Sequence, residues 1–252
     1  MLASSNLDVC VAGRVLVRDL NLSTSGGQNI AMLGQNGVGK TLTLHTLAGL
    51  RAASRGEICL GGLPLKTLGR RKVARHLGLL MQVYEDPFPS TVLETVLVGR
   101  HPHIDFWQWE SAADVDLARH ALGLMDLQGL ETRNIHTLSG GERRRLAIAA
   151  VLAQQPDVYL MDEPLNHLDP QHQLHVLRLL QELSSAGSTV LTTLHDPNAA
   201  IAYCTHALLL FGEGSWLLGS CEEVLNTANL GRLYNTRVEE INWKGRRYFA
   251  LT

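Results

Sequence analysis

Short apolar runs separated by turn residues fill positions 7–33, with breaks at Ala12-Gly13-Arg14 and Ser25-Gly26-Gly27, and that pattern predicts strands. The run 28–33 reads as a buried strand that enters a glycine-rich turn at 34–39. Leu42, Leu44 and Leu47 then mark a helix over 40–48, which Gly49 stops. A further strand is expected at 77–83. The stretch 84–155 changes character: it opens with Asp86-Pro87-Phe88-Pro89-Ser90 and continues with helical periodicity around 92–98, 112–125 and 142–154. After Pro156 the alternation returns as strand 158–161, helix 170–184, strand 189–194, helix 198–204 and strand 207–211. Two of these helices open on Asp-Pro, at Asp169-Pro170 and Asp196-Pro197, an N-cap followed by proline at the first helical position. Lys244-Gly245 separates two short runs, 239–243 and 246–251, as the turn of a hairpin. Strands alternating with helices predict a mainly parallel sheet with helices packed on it. The expected organisation is one α/β domain over 1–252, a core of 1–83 and 156–252 interrupted by a helical subdomain at 84–155.

Composition narrows what such a domain can do. A hydrophobic share of 45% over 252 residues is ample for a buried core and argues against disorder. Twenty-two Lys and Arg face 24 Asp and Glu, a formal charge of -2, so no broad basic field exists to hold nucleic acid or anionic lipid. Any anion site must be local and built by geometry. Only four of the basic residues are lysines. The four cysteines, Cys10, Cys59, Cys204 and Cys221, show no zinc-ligand spacing and are expected to be reduced and mostly buried. Neither a signal peptide nor an apolar run of the roughly 18–20 residues that cross a bilayer is visible. If a membrane is involved, another polypeptide spans it.

The chemistry begins at Gly34-Gln35-Asn36-Gly37-Val38-Gly39-Lys40-Thr41, a G-x-x-x-x-G-K-[ST] turn between the strand and helix it requires. Glycines let backbone N–H groups close around phosphate oxygens, and the helix N-terminus adds its partial positive charge. Lys40 is expected to reach the β- and γ-phosphates and the Thr41 hydroxyl to bind Mg²⁺. A metal needs a carboxylate as well, and Asp162-Glu163 follow the apolar strand 158–161. Asp162 is assigned to the metal and Glu163 to polarising the attacking water. Leu138-Ser139-Gly140-Gly141-Glu142 reads as a capping box, Ser139 as N-cap with Glu142 three residues on. Two glycines in a first helical turn cost about 1 kcal/mol each against alanine, which suggests that something approaches their bare backbone.

With these elements in order, the chain resembles the ATP-binding cassette (ABC) family from about residue 7 to its C-terminus. Leu138 to Glu142 matches the family signature, Gln82 the Q-loop, Asn166-His167-Leu168-Asp169 the D-loop and His195 the switch histidine. The resemblance implies a P-loop ATPase core with a mainly parallel sheet, N-terminal antiparallel strands and a helical insertion subdomain. It implies ATP with Mg²⁺, held by Thr41, Gln82 and Asp162, and a head-to-tail homodimer. In that dimer the loop from Gly34 to Leu42 in one subunit and the signature of the other sandwich each nucleotide. Glu163, Gln82 and His195 then serve hydrolysis and Asp169 links the two sites. A lone subunit should be a poor ATPase. The sequence departs from the family pattern at Leu42, where a second hydroxyl often follows, and at Val11, where an aromatic residue usually stacks on adenine.

Gln82 and Ser139 are separated by 56 residues, too few for the long coiled coils of chromosome and repair ATPases. Gly99-Arg100-His101-Pro102-His103 resembles the G-R-x-P-H element of ATPases serving siderophore, haem and cobalamin importers, and Glu222-Glu223-Val224-Leu225 also resembles that group. The resemblance therefore implies a transport-coupled ATPase on the cytoplasmic face of the inner membrane, docked on two copies of a separate transmembrane permease. A periplasmic or extracellular substrate-binding protein takes part indirectly, and cobalamin, an iron-siderophore or haem is the cargo. No nucleic-acid partner is expected. The other reading is a soluble ABC-type translation factor bound to ribosomes, because Asn-His-Leu-Asp also occurs there; such proteins normally carry two cassettes and a charged linker. His101 and His103 with Asp105 are read as an exposed loop rather than metal ligands. Phe106-Trp107-Gln108-Trp109 is read as a core plug, with a partner surface as the alternative, and His167, His172 and His175 as polar helix-face residues.

Overall fold

The computed structural model describes residues 1–82, 89–105 and 107–252. Its strands are β1 (Leu2–Val11), β2 (Arg14–Ser23), β3 (Asn29–Leu33), β4 (Arg55–Leu60), β5 (Leu63–Pro64), β6 (Leu77–Leu80), β7 (Val158–Met161), β8 (Thr189–Thr193), β9 (His206–Gly212), β10 (Ser215–Ser220), β11 (Val238–Trp243) and β12 (Arg246–Leu251). Its α-helices are α1 (Lys40–Leu47), α2 (Arg70–His76), α3 (Val92–Leu97), α4 (Ala112–Leu124), α5 (Gly140–Gln154), α6 (Pro170–Ser185), α7 (Pro197–Tyr203), α8 (Cys221–Val224) and α9 (Thr227–Tyr234). Contacts divide the chain into two units, Met1–Leu68 with Leu177–Thr252, and Gly69–Val176.

In the first unit an antiparallel sheet runs β2-β1-β4-β5, and a second set of strands runs β10-β9-β3-β8. β3 is parallel to both β8 and β9. Every residue of β3 and β8 is buried, as expected of central parallel strands covered on both faces. The register Met32↔Thr193 carries the chain off both strands at the same carboxyl edge. The hairpin β11–β12 closes through Lys244 and Gly245, both at positive φ (50° and 73°), the backbone of a type I′ turn.

In the second unit β6 and β7 are parallel, with Leu80 opposite Met161. The helices α3, α4 and α5 each start on a full capping box, Thr91 with Glu94, Ser111 with Asp114 and Ser139 with Glu142, where each cap is typically worth about 1 kcal/mol. α5 buries Leu146, Ala147, Ile148, Ala149, Val151 and Leu152, an almost continuous apolar face that makes it the spine of this unit. Among the described residues no helix is long and apolar enough to cross a membrane.

Several expectations need correction. Trp107 and Trp109 are 90% and 88% exposed, so they plug no core; Phe106 lies outside the described residues. Of the thiols only Cys221 is buried; Cys10, Cys59 and Cys204 are half-buried. His167 is on no helix but in the turn before α6, at φ 65°. The strand expected over 77–83 ends at Leu80, and Val83, with the opening 84–88, lies outside the described residues. β4 and α2 leave no mark in the apolar pattern of the sequence: β4 opens on Arg55-Gly56-Glu57, all exposed, and α2 buries no residue at all, so neither carries a periodic apolar stripe.

Candidate functional site

Gly34 to Thr41 forms the turn between β3 and α1. Gly39 is the N-cap of α1 at φ 112°, a conformation that a side chain would strain, and a Cβ there would also meet Leu16 at 3.0 Å. Gln35, Asn36 and Gly37 are exposed, whereas Gly34, Val38, Gly39 and Lys40 are buried. Lys40 Nζ donates to the loop's own carbonyls, Gly34 O at 2.7 Å and Gln35 O at 3.2 Å. Thr41 and Leu42 are half-buried on the first turn of α1. At the same edge of the sheet the chain leaves β8, where Leu194 N donates to Met32 O at 3.1 Å. His195 follows, exposed, its carbonyl accepting from Tyr234 OH at 3.0 Å. Asp196 then caps α7 through Asn198 N, with Pro197 in the first turn, as its Asp-Pro spacing predicts. Val11, the position matched to the adenine-stacking residue, ends β1 half-buried.

The second unit assembles the carboxylates. Asp162 N donates to Leu80 O at 3.0 Å, extending the β6–β7 ladder, so the chain emerges toward Gln82 and toward Glu163 at one edge. The Asp162 side chain is fully buried. Gln82 Nε2 donates to Glu163 Oε2 at 2.8 Å, and Asn166 Nδ2 donates to the same oxygen. Glu163 itself sits at φ 47°, in the left-handed region that bulky residues avoid.

Ser139 caps α5 as read from the spacing: its Oγ accepts from Glu142 N at 3.2 Å, and Glu142 Oε2 accepts from Ser139 N at 2.8 Å. That backbone N–H holds the Glu142 carboxyl below its usual range. Leu138 is buried while Ser139 and Gly140 are exposed. A Cβ on Gly141 would lie 3.1 Å from His167 O, so part of the reason for bare backbone here is the close approach of the turn that precedes α6. Asp169 caps α6, with Oδ1 accepting from His172 N at 2.9 Å and Oδ2 2.8 Å from His172 Nδ1. The His172 N–H is the main reason its carboxyl is held low. His175 Nε2 lies 2.6 Å from Leu124 O.

Sequence reasoning missed Arg144. Its guanidinium is buried against the carbonyls of Met81, Asp162 and Glu163, and that burial pulls its pKa down to about 10. The sequence signal was there, since Arg144 occupies the same helical face as Ile148 and Leu152, both buried. A cation at an apolar repeat position needs a buried set of acceptors.

The histidine-bearing loop is equally specific. Arg100 is buried, with Nε 2.9 Å from Asp114 Oδ1 and Nη1 donating to Ala153 O at 2.8 Å. His103 Nε2 lies 2.9 Å from Gln154 O, and burial lowers its pKa. These groups meet the last carbonyls of α5, where cationic donors are favoured. His101 is exposed, 3.8 Å from Glu110. Among the described residues no three His, Cys, Asp or Glu side chains cluster as a metal site. Taken singly, the Thr41 hydroxyl, the Gln82 amide oxygen and the Asp162 carboxylate are donors of the kind that hard cations such as Mg²⁺ accept.

A family model described as ABC transporter matches residues 17–166, and the chain belongs to that family as an ATP-binding domain of ABC ATPase type. It is 36% identical over 234 residues to the hemin import ATP-binding protein of Myxococcus xanthus, covering 90% of this chain and 86% of that protein. It is also 36% identical over 227 residues to the ferric enterobactin transport ATP-binding protein of Escherichia coli (88% and 82%). A chain from a metal-chelate type ABC transporter, solved in an inward-facing conformation, superposes with a TM-score of 0.85 at 29% identity, over 100% of this chain and 97% of that one.

Proposed function

We propose that this chain is the ATP-hydrolysing subunit of an importer of metal chelates, acting as a homodimer on two copies of a separate transmembrane permease at the cytoplasmic face of the inner membrane. The cargo is an iron chelate, haem or an iron-siderophore; the names of the hemin and enterobactin relatives favour these over cobalamin. A substrate-binding protein delivers the cargo from the far side. The helical stretch 84–155 serves as the subdomain that carries the signature, inserted into a core of 1–83 and 156–252.

The roles follow from charge and reach. Backbone N–H groups of residues 34–42 and Lys40 cradle the phosphates of ATP, and the signature Leu138 to Glu142 of the other subunit completes the site. Thr41, Gln82 and Asp162 would hold Mg²⁺, which supplies neutralisation of the phosphate charge. Glu163 accepts a proton from the attacking water, Gln82 orients it, His195 contacts the γ-phosphate and Asp169 couples the two sites. Phosphoryl transfer depends mainly on such positioning and charge stabilisation.

The observation that carries this reading is the convergence of Gln82 and Asn166 on one oxygen of Glu163, immediately after the buried Asp162. Its test is the tagged Glu163→Gln protein, purified from native membranes solubilised with ATP. ATP binding should persist and turnover should fall by roughly 100-fold or more. A polytopic membrane protein should co-purify in equal amount. Near-normal turnover would remove Glu163 from its role, and ribosomes in place of a membrane protein would shift the function to the translation-factor class.

A further inference from the structure

Arg144 lies on α5, five residues after Ser139, and is only 6% exposed. Its contacts are unusual in kind. Nη1 donates to Met81 O at 2.7 Å and reaches Gln82 O at 3.5 Å, while Nη2 donates to Glu163 O at 2.7 Å and to Asp162 O. All four acceptors are main-chain carbonyls, and they come in two consecutive pairs.

Each pair has a geometric meaning. The carbonyls of Asp162 and Glu163 mark the peptide planes on either side of the Glu163 Cα, and those planes are rigid. Holding both oxygens fixes φ and ψ of Glu163, which is what a residue at φ 47° requires. The carbonyls of Met81 and Gln82 bracket the Gln82 Cα in the same way. The two residues so bracketed are those whose side chains meet, Gln82 Nε2 on Glu163 Oε2 at 2.8 Å. A fork with five donors in one plane can bridge two carbonyl pairs; a lysine's ammonium cannot match that spread.

We propose that Arg144 is the positioning residue of the hydrolytic pair: it sets the backbone of Gln82 and Glu163 together and ties their aim to the helix that begins at Ser139. This rests on the reading of Glu163 as the group that polarises the attacking water. The guanidinium of Arg144 is spent on main-chain carbonyls, so it acts through the two residues it brackets. A shift of α5 along its axis moves the guanidinium and, with it, both peptide pairs. Small displacements matter here, because proton acceptors in hydrolysis work only within a few tenths of an ångström of their productive position.

The test uses the complex reconstituted with its permease and carrying Arg144→Met, Arg144→Lys or Arg144→Gln, read by steady-state kcat and KM, single-turnover hydrolysis and equilibrium binding of a fluorescent ATP analogue. Arg144→Met should lower kcat by about 100-fold while nucleotide affinity changes by less than about threefold. Arg144→Lys should recover about tenfold of that loss, because one ammonium can serve one carbonyl pair. In a Glu163→Gln background, Arg144→Met should add less than about a twofold further fall in single-turnover rate, since residues acting as a unit are non-additive. If Arg144→Met does not fold, the lysine and glutamine variants carry the same comparison, with Arg144→Gln expected to lose more kcat than Arg144→Lys. A kcat within threefold of the parent in a folded Met or Gln variant, or a full additional loss in the Glu163→Gln background, overturns the proposal. Undiminished turnover in Glu163→Gln alone overturns the reading beneath it as well, whereas a dead Glu163→Gln beside an active Arg144→Met overturns the positioning role and leaves Glu163 in place.

Discussion

Asp114 has two partners at once: the Ser111 hydroxyl and backbone of its own capping box, and the guanidinium of Arg100. The two side chains of the ion pair are 14% and 9% exposed, so water screens them little. The Ser111 bond first, then the Arg100 bond, pull the Asp114 carboxyl from 3.8 down to about 2. A folded-state pKa below the unfolded value adds stability that is present in full above about pH 4 and is lost as the pH falls through about 2. Asp114→Asn should therefore cost about 1–3 kcal/mol at pH 6, with the gap from the parent closing toward pH 2. Urea titrations at pH 6 and at pH 3 check this; a gap that does not shrink on acidification would show that the carboxylate's charge is not what counts. Residues of this kind were only half legible. Ser111 and Asp114 stand three apart, a local spacing, but nothing near position 100 in sequence announces its partner 14 residues on or the helix end at Ala153.

Among the elements, short-range chemistry is legible in the sequence and long-range packing is not. The Gly34 to Thr41 turn, the capping box at Ser139, the Asp-Pro start of α7 and the Lys244-Gly245 hairpin all follow from backbone preferences of neighbouring residues. Arg144 meeting Met81 and Glu163 depends on how three segments fold together, and only its place on an apolar helix face hinted at it. The loop after α3 shows the same division: its motif was recognised, but its physical work, closing the C-terminal end of α5, needed the structure. Gly99 makes that closure possible, because a Cβ there would stand 2.2 Å from Ala150 O. The obstacle is helix backbone and cannot swing away. Gly99→Ala should destabilise the protein by about 1–3 kcal/mol and lower the melting temperature by several degrees. Differential scanning calorimetry settles it, and an unchanged melting temperature would mean that the approach is looser than the contact implies.

For the molecule as a whole, the exposed Ser139 and Gly140 stand at the head of a helix whose other residues are mostly committed to their own unit. In the homodimeric reading they serve the nucleotide of the other subunit. Ser139→Arg should then leave the purified chain's affinity for ATP within about twofold while permease-stimulated hydrolysis falls by about 100-fold. Isothermal titration and an ATPase assay on the reconstituted complex separate the two effects, and loss of binding by the single subunit would argue against a shared site.

α5 is 15 residues long, which makes it a rod of about 22 Å. Arg100 and His103 grip its final carbonyls, and the signature rides on the opposite tip. Such a rod is a lever arm. A tilt of about 10° pivoting at the gripped end sweeps the free tip through roughly 4 Å, several times the tolerance of a working hydrogen-bond geometry. The grip of Arg100 and His103 on that end therefore governs how accurately Ser139 is placed, and any change that let the gripped end rotate would be magnified at the tip.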